Sequence, residues 1–371
     1  MKIKLDNLKK DEQISLKLEA VYEKFGYRKF KMRSFEEYSM YLSYSDFLLS
    51  KNIITFSGLD GKLLALRPDV TLSIIKNTKA SKSNTEKLFY NEKVYREFSK
   101  EYKEINQTGV ELIGNINLYS YAEITTLALK SLECIGSDYV LDISDMAVVG
   151  AIIDEIEPSD SEKAVLYEFL KAKNIDDFLA YATKKEISEE KINAFCALIK
   201  VSGGEKEFDA FVKDIAISEK ISTALNNFKA VLSVLSKQDG GDKINVNFSI
   251  YGNADYYNGL IFNGYVQGVP KAVLSGGRYD KLLQKFGKEV GAIGFAVYLG
   301  EIERYLENDV PSTDILVLFK EDANIEELIK AVNDLISKGY SVRVDTAIPE
   351  DFKFLKLFVF DNGCLVEKKN D

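Results

Sequence analysis

The chain has 371 residues, 46% of them hydrophobic and 29% charged, so it can bury a sizeable core, and its length predicts about two to three domains. Only five prolines and no apolar run long enough to span a membrane exclude collagen-like, linker and transmembrane classes, and the net charge of -9 argues against general binding to nucleic acid or acidic membranes. The chain contains no histidine, which excludes Ser-His-Asp and Cys-His catalysis and histidine-ligated metals.

The predicted elements begin with a helix, because apolar residues from Ile14 to Phe25 share one helical face and Gly26 follows as a natural stop. Alternating apolar residues and glycine-rich turns then predict strands. In chain order these further elements are a strand at 28–32, a hairpin over 53–65 that turns at 58–61, strands at 87–95 and 108–113 joined by a loop rich in lysine and glutamate, and a helix over 118–134.

The character of the sequence changes between Ser159 and Leu235, where glycine becomes rare and amphipathic helices dominate. Ser159 and Glu162 have the spacing of a capping box, and Gly203-Gly204 interrupts the helical pattern. Strands return at 244–251, 260–266 and 272–275, and beyond a linker near 310–312 a small β-α-β-β unit follows, with strands at 314–319, 341–344 and 357–360 and a helix over 325–336.

We therefore predict a core over residues 1–311 that is discontinuous in sequence, with a helical insertion at about 155–238, and a small α/β appendage at 312–371. The N-terminal stretch has lysines but lacks the apolar segment and cleavage site of a secretory signal, so we expect a cytoplasmic protein. Cys134, Cys196 and Cys364 are far apart, which predicts buried, unreactive thiols and neither a disulfide framework nor a metal site.

Two short stretches combine charged and hydroxyl side chains. Arg67 to Thr71 places a cation, an anion and a hydroxyl at the end of a strand, where a structural ion pair is the plainer interpretation. In the strand near 107–113, period-two alternation aims Gln107 and Glu111 at the same face. Such a strand is also common as an ordinary half-exposed one.

Two glycine-containing clusters follow later in the chain, at 255–259 and 276–280. Gly276-Gly277 lacks the lysine and threonine of a P-loop, and Gly291 and Gly294 lack the spacing of a dinucleotide-binding fingerprint, so neither nucleotide fold is predicted.

Taken together and in order, six motifs resemble those of histidyl-tRNA synthetases over roughly residues 18–305. The motifs are Leu66-Arg67-Pro68-Asp69-x-Thr71, Val94-Tyr95-Arg96, Gln107-x-Gly109-x-Glu111-x-x-Gly114, Asp255-Tyr256-Tyr257-Asn258-Gly259, Gly276-Gly277-Arg278-Tyr279-Asp280 and Gly294-Phe295-Ala296. The resemblance implies an α+β fold, with a class II synthetase antiparallel sheet flanked by helices. It also implies a homodimer through the first class II motif, here near Tyr27–Tyr38.

The resemblance further implies a pocket for the amino acid histidine. It places Asp69, Thr71 and Gln107 around the α-amino group, and Glu111, Tyr257 and Tyr279 around the imidazole. Carboxylates and neutral acceptors suit an ammonium, and a glutamate or tyrosine oxygen suits an imidazole N–H. The remaining motif cations, Arg67, Arg96 and Arg278, are equally compatible with structural ion pairs and with contacts to an anionic ligand.

Departures from the synthetase pattern bear on its activity. The active enzyme has an arginine where this chain has Gly252, and the third motif has Glu301 where an arginine braces the triphosphate. The loop after Arg96 is short and carries glutamates, a poor cradle for ATP. These differences predict that adenylation is lost, so we expect no catalytic residue, metal or cofactor.

A histidine pocket without adenylation charges resembles the regulatory subunits of ATP phosphoribosyltransferase. That resemblance implies a partner of the short-form catalytic subunit, which condenses ATP with phosphoribosyl pyrophosphate, with L-histidine as effector. Two positions depart from the expected pattern, since Asp69 stands where the synthetase has glutamate and Tyr256 where the regulatory family often has histidine. The alternatives are an active synthetase-like enzyme and a tRNA-binding module, the latter disfavoured by the acidic charge and short C-terminal unit.

Overall fold

The computed structural model describes residues 8–48, 52–98, 100–215, 218–250, 256–305, 312–350 and 352–368. The chain divides into two compact units, a larger one over 14–305 and a smaller, C-terminal one that includes 312–350 and 352–368 together with 8–13. No helix in the described ranges is long and apolar enough to cross a lipid bilayer.

The first element is the predicted helix, α1 (Lys10–Lys24), and its residues from Ile14 onward belong to the larger unit. There it buries Ile14, Leu18 and Tyr22. Gly26 follows with a φ of +80°, a conformation that glycine adopts without strain. The strand predicted at 28–32 is shorter, because only two residues pair with the sheet. The elements that follow are β1 (Arg28–Lys29), β2 (Phe35–Glu37), α2 (Tyr38–Ser43), a 3-10 turn (Ser45–Phe47), β3 (Thr55–Ser57), β4 (Leu63–Leu66) and α3 (Thr71–Asn77).

The next two strands form a long hairpin, β5 (Glu86–Phe98) and β6 (Glu101–Gly114). They remain paired to the tip, where Arg96 lies opposite Lys103 and Phe98 opposite Glu101. The loop predicted between them is therefore wrong. Backbone pairing and polar cross-strand contacts continue the ladder through lysines and glutamates that carry no hydrophobic signal.

Helices then alternate with one strand before the helical insertion. These elements are α4 (Leu118–Ile135), β7 (Tyr139–Asp145) and α5 (Met146–Glu155). The helical insertion comprises α6 (Asp160–Ala172), α7 (Ile175–Lys184), α8 (Glu189–Lys200), α9 (Glu205–Asp214) and α10 (Glu219–Leu235). Ser159 and Glu162 form the predicted capping box at the start of α6. Phe208 and Phe228 meet edge to face at 5.1 Å inside the insertion, where each buried phenylalanine contributes roughly 1.5–3 kcal/mol.

The chain then returns to the sheet. The remaining elements of the larger unit are a 3-10 turn (Gly241–Lys243), β8 (Ile244–Val246), β9 (Leu260–Val266), β10 (Leu274–Arg278), α11 (Asp280–Lys285), β11 (Gly291–Tyr298) and α12 (Leu299–Tyr305). The predicted strand at 244–251 is paired only over its first three residues, and residue 251 lies outside the described ranges.

Eight strands form the main sheet, in the order β1-β5-β6-β11-β10-β9-β7-β8. Its pairs are antiparallel except β1 with β5 and β7 with β8, which confirms the antiparallel α+β fold expected from the sequence. The helical insertion lies between the parallel neighbours β7 and β8. A separate three-stranded sheet, β2-β4-β3, contains the predicted hairpin at 53–65.

The smaller unit has a four-stranded sheet and one described helix. Its elements are β12 (Thr313–Leu318), α13 (Ile325–Ser337), β13 (Val342–Asp345), β14 (Phe354–Asp361) and β15 (Cys364–Lys368), with the sheet order β13-β12-β14-β15. The prediction of a β-α-β-β unit omitted β15, whose sequence is half polar. Leu328 and Leu335 of α13 pack on this sheet's core.

The three cysteines form no disulfide, as predicted, but the expectation that they are buried is wrong. Cys134 and Cys196 are half-buried, and Cys364 is exposed on β15. Cys134 and Cys196 lie at the edges of helix faces, where a small apolar side chain is tolerated without full burial.

Candidate functional site

A cavity of about 310 Å³ opens where the central strands β5, β6, β10 and β11 meet the segment before α3. We call it the ligand cavity. It brings together all six residues that the resemblance placed around histidine. Its lining comprises Phe47, Leu48, Asp69, Val70, Thr71, Tyr90, Arg96, Gln107, Glu111, Tyr256, Tyr257, Ser275, Tyr279, Gly294, Phe295, Ala296 and Tyr298.

Glu111 is the most deeply buried acid of the ligand cavity, with 2% of its surface exposed. Thr71 Oγ1 donates a hydrogen bond to Glu111 Oε1 at 2.9 Å, and the Tyr279 hydroxyl donates to Oε2. Burial raises the pKa of Glu111 from 4.5 to about 8, although both hydrogen bonds act in the opposite direction and Asp69 adds a further upward push. Glu111 is therefore poised to receive an N–H donor that would stabilise its charge.

Glycine opposite Glu111 makes room for this carboxylate. Gly294 on β11 pairs with Glu111 on β6, and Gly277 on β10 pairs with Gly294. A Cβ atom at position 294 would lie 1.9 Å from Glu111 Oε2 and 2.3 Å from the Val110 carbonyl oxygen. The glycine of the Gly-Phe-Ala motif is thus required by the carboxylate that faces it.

Asp69 forms a second acidic point in the ligand cavity. Its Oδ1 accepts a hydrogen bond from the Leu72 amide at 2.9 Å, and its Oδ2 lies 3.7 Å from Arg96 Nη2. Burial raises the pKa of Asp69, while Arg96 and the backbone amides oppose that rise. At 3.7 Å the pairing with Arg96 is loose, so Asp69 retains capacity to accept from a ligand ammonium.

Gln107 and Glu111 point into the same cavity, as the period-two alternation predicted. Only 3% of Gln107 is exposed, and this residue lines the ligand cavity. A side-chain amide offers both a donor and an acceptor, so Gln107 can hydrogen-bond to a ligand bound there.

Aromatic rings close the rest of the ligand cavity. The Tyr256 ring centroid lies 4.7 Å from that of Tyr257, 5.6 Å from that of Tyr279 and 6.2 Å from that of Phe47. Tyr90 lies opposite Gly109 and Tyr298 opposite Gln107 in the strand register. Sequence reasoning did not include Tyr90, Ser275 or Tyr298, because only the pairing of β5, β6, β10 and β11 brings them to the cavity.

The structure separates the three arginines that the sequence left open. Arg96 lines the ligand cavity, but Arg67 does not: it is 5% exposed and forms a 2.6 Å ion pair with Glu92 as well as hydrogen bonds to backbone carbonyls. Arg278 also lies outside the ligand cavity lining, bonded to Asp280 at 2.7 Å and to the Tyr121 hydroxyl at 2.7 Å. Arg67 is thus a structural cation, whereas Arg278 is paired outside the ligand cavity and lines a separate, open pocket.

Of the two positions that depart from the synthetase pattern, Gly252 and Glu301, only Glu301 lies among the described residues. Gly252 and Asp255 lie outside the described residues. Glu301 lies in the first turn of α12 and is absent from the ligand cavity lining. Its Oε1 lies 3.5 Å from Lys271 Nζ. No group of three acidic or cysteine side chains within the described ranges is arranged to hold a metal ion.

The ligand cavity therefore combines one buried and one partly buried carboxylate, one guanidinium, an amide and several phenolic hydroxyls. Two acids against one cation favour a ligand that carries an ammonium group, and the hydroxyl-bonded Glu111 favours a second N–H donor at the far side. A small amino acid with a nitrogen-containing ring satisfies both conditions.

The main sheet and the ligand cavity define a histidyl-tRNA synthetase-like protein, and the model of the family described as histidyl-tRNA synthetase matches residues 3–302. The ATP phosphoribosyltransferase regulatory subunit of Caldanaerobacter subterraneus subsp. tengcongensis is 31% identical over 344 residues, which cover 89% of this chain and 88% of that protein. The chain belongs to the family of ATP phosphoribosyltransferase regulatory subunits, within the histidyl-tRNA synthetase-like proteins.

Solved structures share the fold. The crystal structure of an ATP phosphoribosyltransferase regulatory subunit/histidyl-tRNA synthetase from Bacillus halodurans C has a TM-score of 0.74 at 23% identity and covers 91% of this chain and 88% of that chain. A chain of the ATP phosphoribosyl transferase (HisG:HisZ) complex from Thermotoga maritima has a TM-score of 0.62 at 16% identity and covers 78% of this chain and 97% of its own length.

Proposed function

We propose that this protein is a non-catalytic regulatory subunit of a short-form ATP phosphoribosyltransferase, at the entry to histidine biosynthesis, and that L-histidine binds in its ligand cavity. The observation that carries the proposal is the combination of this family membership with a cavity that holds all six expected residues. The Thermotoga maritima complex supports a catalytic subunit as the partner.

Two missing cations would abolish adenylation. The attack of a carboxylate on the α-phosphate of ATP gathers negative charge, which the active synthetase meets with arginines at the positions of Gly252 and Glu301. Removing one preorganised charge from a transition state commonly costs about 2.7–4 kcal/mol. Two such losses would slow adenylation by several orders of magnitude, and Glu301 additionally introduces an anion.

The residues of the ligand cavity would recognise both ends of histidine. Asp69, Thr71 and Gln107 would surround the α-ammonium, and Glu111 with Tyr257 and Tyr279 would surround the imidazole. Arg96, the cation beside Asp69, would neutralise the ligand's carboxylate. Regulation requires more than binding, because histidine must favour one state of the complex, typically by about 1–3 kcal/mol.

The core would form a homodimer through the stretch Tyr27–Tyr38. Supporting this, the three-stranded sheet exposes an aromatic face, where Phe35 and Phe56 are 46% and 39% exposed and their rings meet at 5.5 Å. Leu63 is 46% exposed on the same sheet. Adjacent apolar residues of this size at the surface are typical of a protein interface.

Isothermal titration with L-histidine tests the sensor. We expect binding to the parent protein and a loss of about 10- to 100-fold in affinity for Glu111→Gln, the range for a hydrogen bond to a charged group. Glu123→Gln is the matched control, since Glu123 is 4% exposed and bonded to Tyr27 and Lys87 away from the cavity. A parent protein that produces no heat with L-histidine contradicts the sensor proposal.

Co-purification with a short-form catalytic subunit tests the partner independently. We expect a stable hetero-oligomer in which phosphoribosyltransferase activity exceeds that of the catalytic subunit alone. A catalytic subunit that elutes separately and is not activated contradicts the partner proposal, whatever the result with histidine.

An active histidyl-tRNA synthetase-like enzyme is the second candidate, favoured by the family model that spans residues 3–302. Histidine-dependent exchange of pyrophosphate into ATP distinguishes the two, since only the enzyme produces it. A gel shift with tRNA tests the remaining tRNA-binding alternative, against which the net charge of -9 argues.

A further inference from the structure

A second concave surface lies next to the three-stranded sheet. This surface groove, of about 840 Å³, is lined by residues of β2, α2, β4 and α3, among them Phe35, Met40, Ser43, Ser73 and Lys76. It shares no lining residue with the ligand cavity. The ligand cavity and the surface groove nevertheless share two structural elements.

Both α3 and the segment from α2 to Leu48 contribute to each of the two sites. The first residue of α3, Thr71, lines the ligand cavity, whereas Ser73 and Lys76 line the surface groove. In the other segment, Met40 and Ser43 line the surface groove, whereas Phe47 and Leu48 line the ligand cavity. We call these two elements, residues 38–48 and 69–77, the shared wall.

Hydrogen bonds fix α3 at both ends. On the cavity side, Thr71 Oγ1 donates to Glu111. On the groove side, Ser73 Oγ donates to Glu36 Oε1 at 3.1 Å and Lys76 forms an ion pair with Glu36. A helix of seven residues spans only about 10 Å and moves as one body, so a shift at Thr71 is felt at Lys76.

The other half of the shared wall is held by ring contacts. Tyr44 stacks on Phe286 at 3.9 Å, and Lys285 lies 4.7 Å from the Phe47 ring centroid. Tyr41 is fully buried between these positions, and its hydroxyl has no hydrogen-bond partner among the described residues. Close packing on all sides transmits a displacement of Phe47 to α2.

The occupant that fits the surface groove is a second copy of this chain. Phe35 belongs both to the surface groove and to the exposed aromatic face, so the two form one continuous surface. Lys31 and Arg33 at its edge have no ion-pair partner among the described residues, while Glu37, exposed nearby, is ion-paired with Lys62. Cations and an anion on one patch are self-complementary under a twofold axis.

We propose that the shared wall couples the ligand cavity to self-association at the surface groove, so that L-histidine changes the dimer equilibrium. This inference rests on the proposed function, since it takes histidine as the ligand. Thermodynamic linkage requires the reciprocal effect, in which dimerisation changes histidine affinity by the same factor.

The full-length protein tests the coupling by sedimentation equilibrium and hydrogen exchange, each with and without saturating L-histidine. We expect the dimer dissociation constant to change by about fivefold or more. We also expect slower exchange in residues 38–43 and 72–77, which belong to the groove side of the shared wall. Lys76→Met, which removes the ion pair to Glu36, should reduce the change in dimer dissociation constant at least twofold while histidine still binds.

The matched control is Lys229→Met, which removes an ion pair with Asp209 in the helical insertion from a lysine of nearly equal exposure. This variant should keep the parent's response. If histidine binds by calorimetry but neither dimerisation nor exchange outside the ligand cavity changes, the coupling is refuted and the sensor proposal stands. If calorimetry detects no histidine binding, the sensor proposal itself fails.

Discussion

Replacing Glu111 by glutamine should stabilise the protein at high pH while it removes the acid from the ligand cavity. Because burial raises the pKa of Glu111 from 4.5 to about 8 in the folded chain, the folded state keeps a proton that the unfolded state loses between those two values. Stability therefore falls as pH rises through this window. The pKa difference corresponds to about 5 kcal/mol when the carboxylate is fully ionised.

Glutamine carries no charge at any of these pH values, but it cannot accept both the Thr71 and the Tyr279 hydroxyls as well as a carboxylate does. One weakened hydrogen bond costs about 1 kcal/mol. Glu111→Gln should then be about as stable as the parent near pH 5 and about 4 kcal/mol more stable near pH 9.

Urea unfolding of both proteins near pH 5 and near pH 9 measures this difference directly, with the dependence on denaturant checked for two-state behaviour. Glu123→Gln, at a buried acid that is ion-paired with Lys87, serves as the control for removing a charge. If the variant loses equal stability at both pH values, ionisation of the buried Glu111 carboxylate does not destabilise the folded protein, and the reasoning is wrong.

Three other substitutions test individual contacts in the larger unit. Gly294→Ala should destabilise the protein by about 1–3 kcal/mol or more in urea unfolding, since its Cβ would overlap the Glu111 carboxylate, whereas Gly300→Ala, with nothing within 4 Å of its Cβ, should not. Arg67→Met should cost about 3–5 kcal/mol in the same assay because it breaks a buried ion pair. Tyr279→Phe removes one donor to Glu111 and should weaken L-histidine binding about tenfold or more in calorimetry.

Much of the architecture follows from local patterns. The periodicity around Ile14, the capping box at Ser159 and the glycine turn at 58–61 each predicted an element that the structure contains. These signals depend on neighbouring residues, so a single sequence carries them.

Elements held by long-range pairing were predicted less well. The hairpin of β5 and β6 continues through lysines and glutamates, where hydrophobic alternation stops but backbone pairing does not. Similarly, β15 is stabilised by β14 beside it, and its own residues give no clear strand pattern. In both cases the partner strand determines the conformation.

In the ligand cavity, too, some residues were predicted from local motifs, whereas others depend on long-range strand pairing. The motifs and their order identified Asp69, Gln107 and Glu111, and the structure brings them to one cavity. Tyr90 and Tyr298 were missed because they reach the cavity through strand register. The structural role of Arg67 likewise emerges only from its contacts with distant backbone carbonyls.

The helical insertion lies between β7 and β8, where its length can change at little cost in free energy. Because these strands are parallel neighbours, the excursion departs from and rejoins the sheet one strand apart. Closing a longer excursion adds only about 0.6 kcal/mol per doubling of its length. Since β7 and β8 form the end of the sheet remote from β5 and β6, a change in the length of this module would leave the ligand cavity's strands in place.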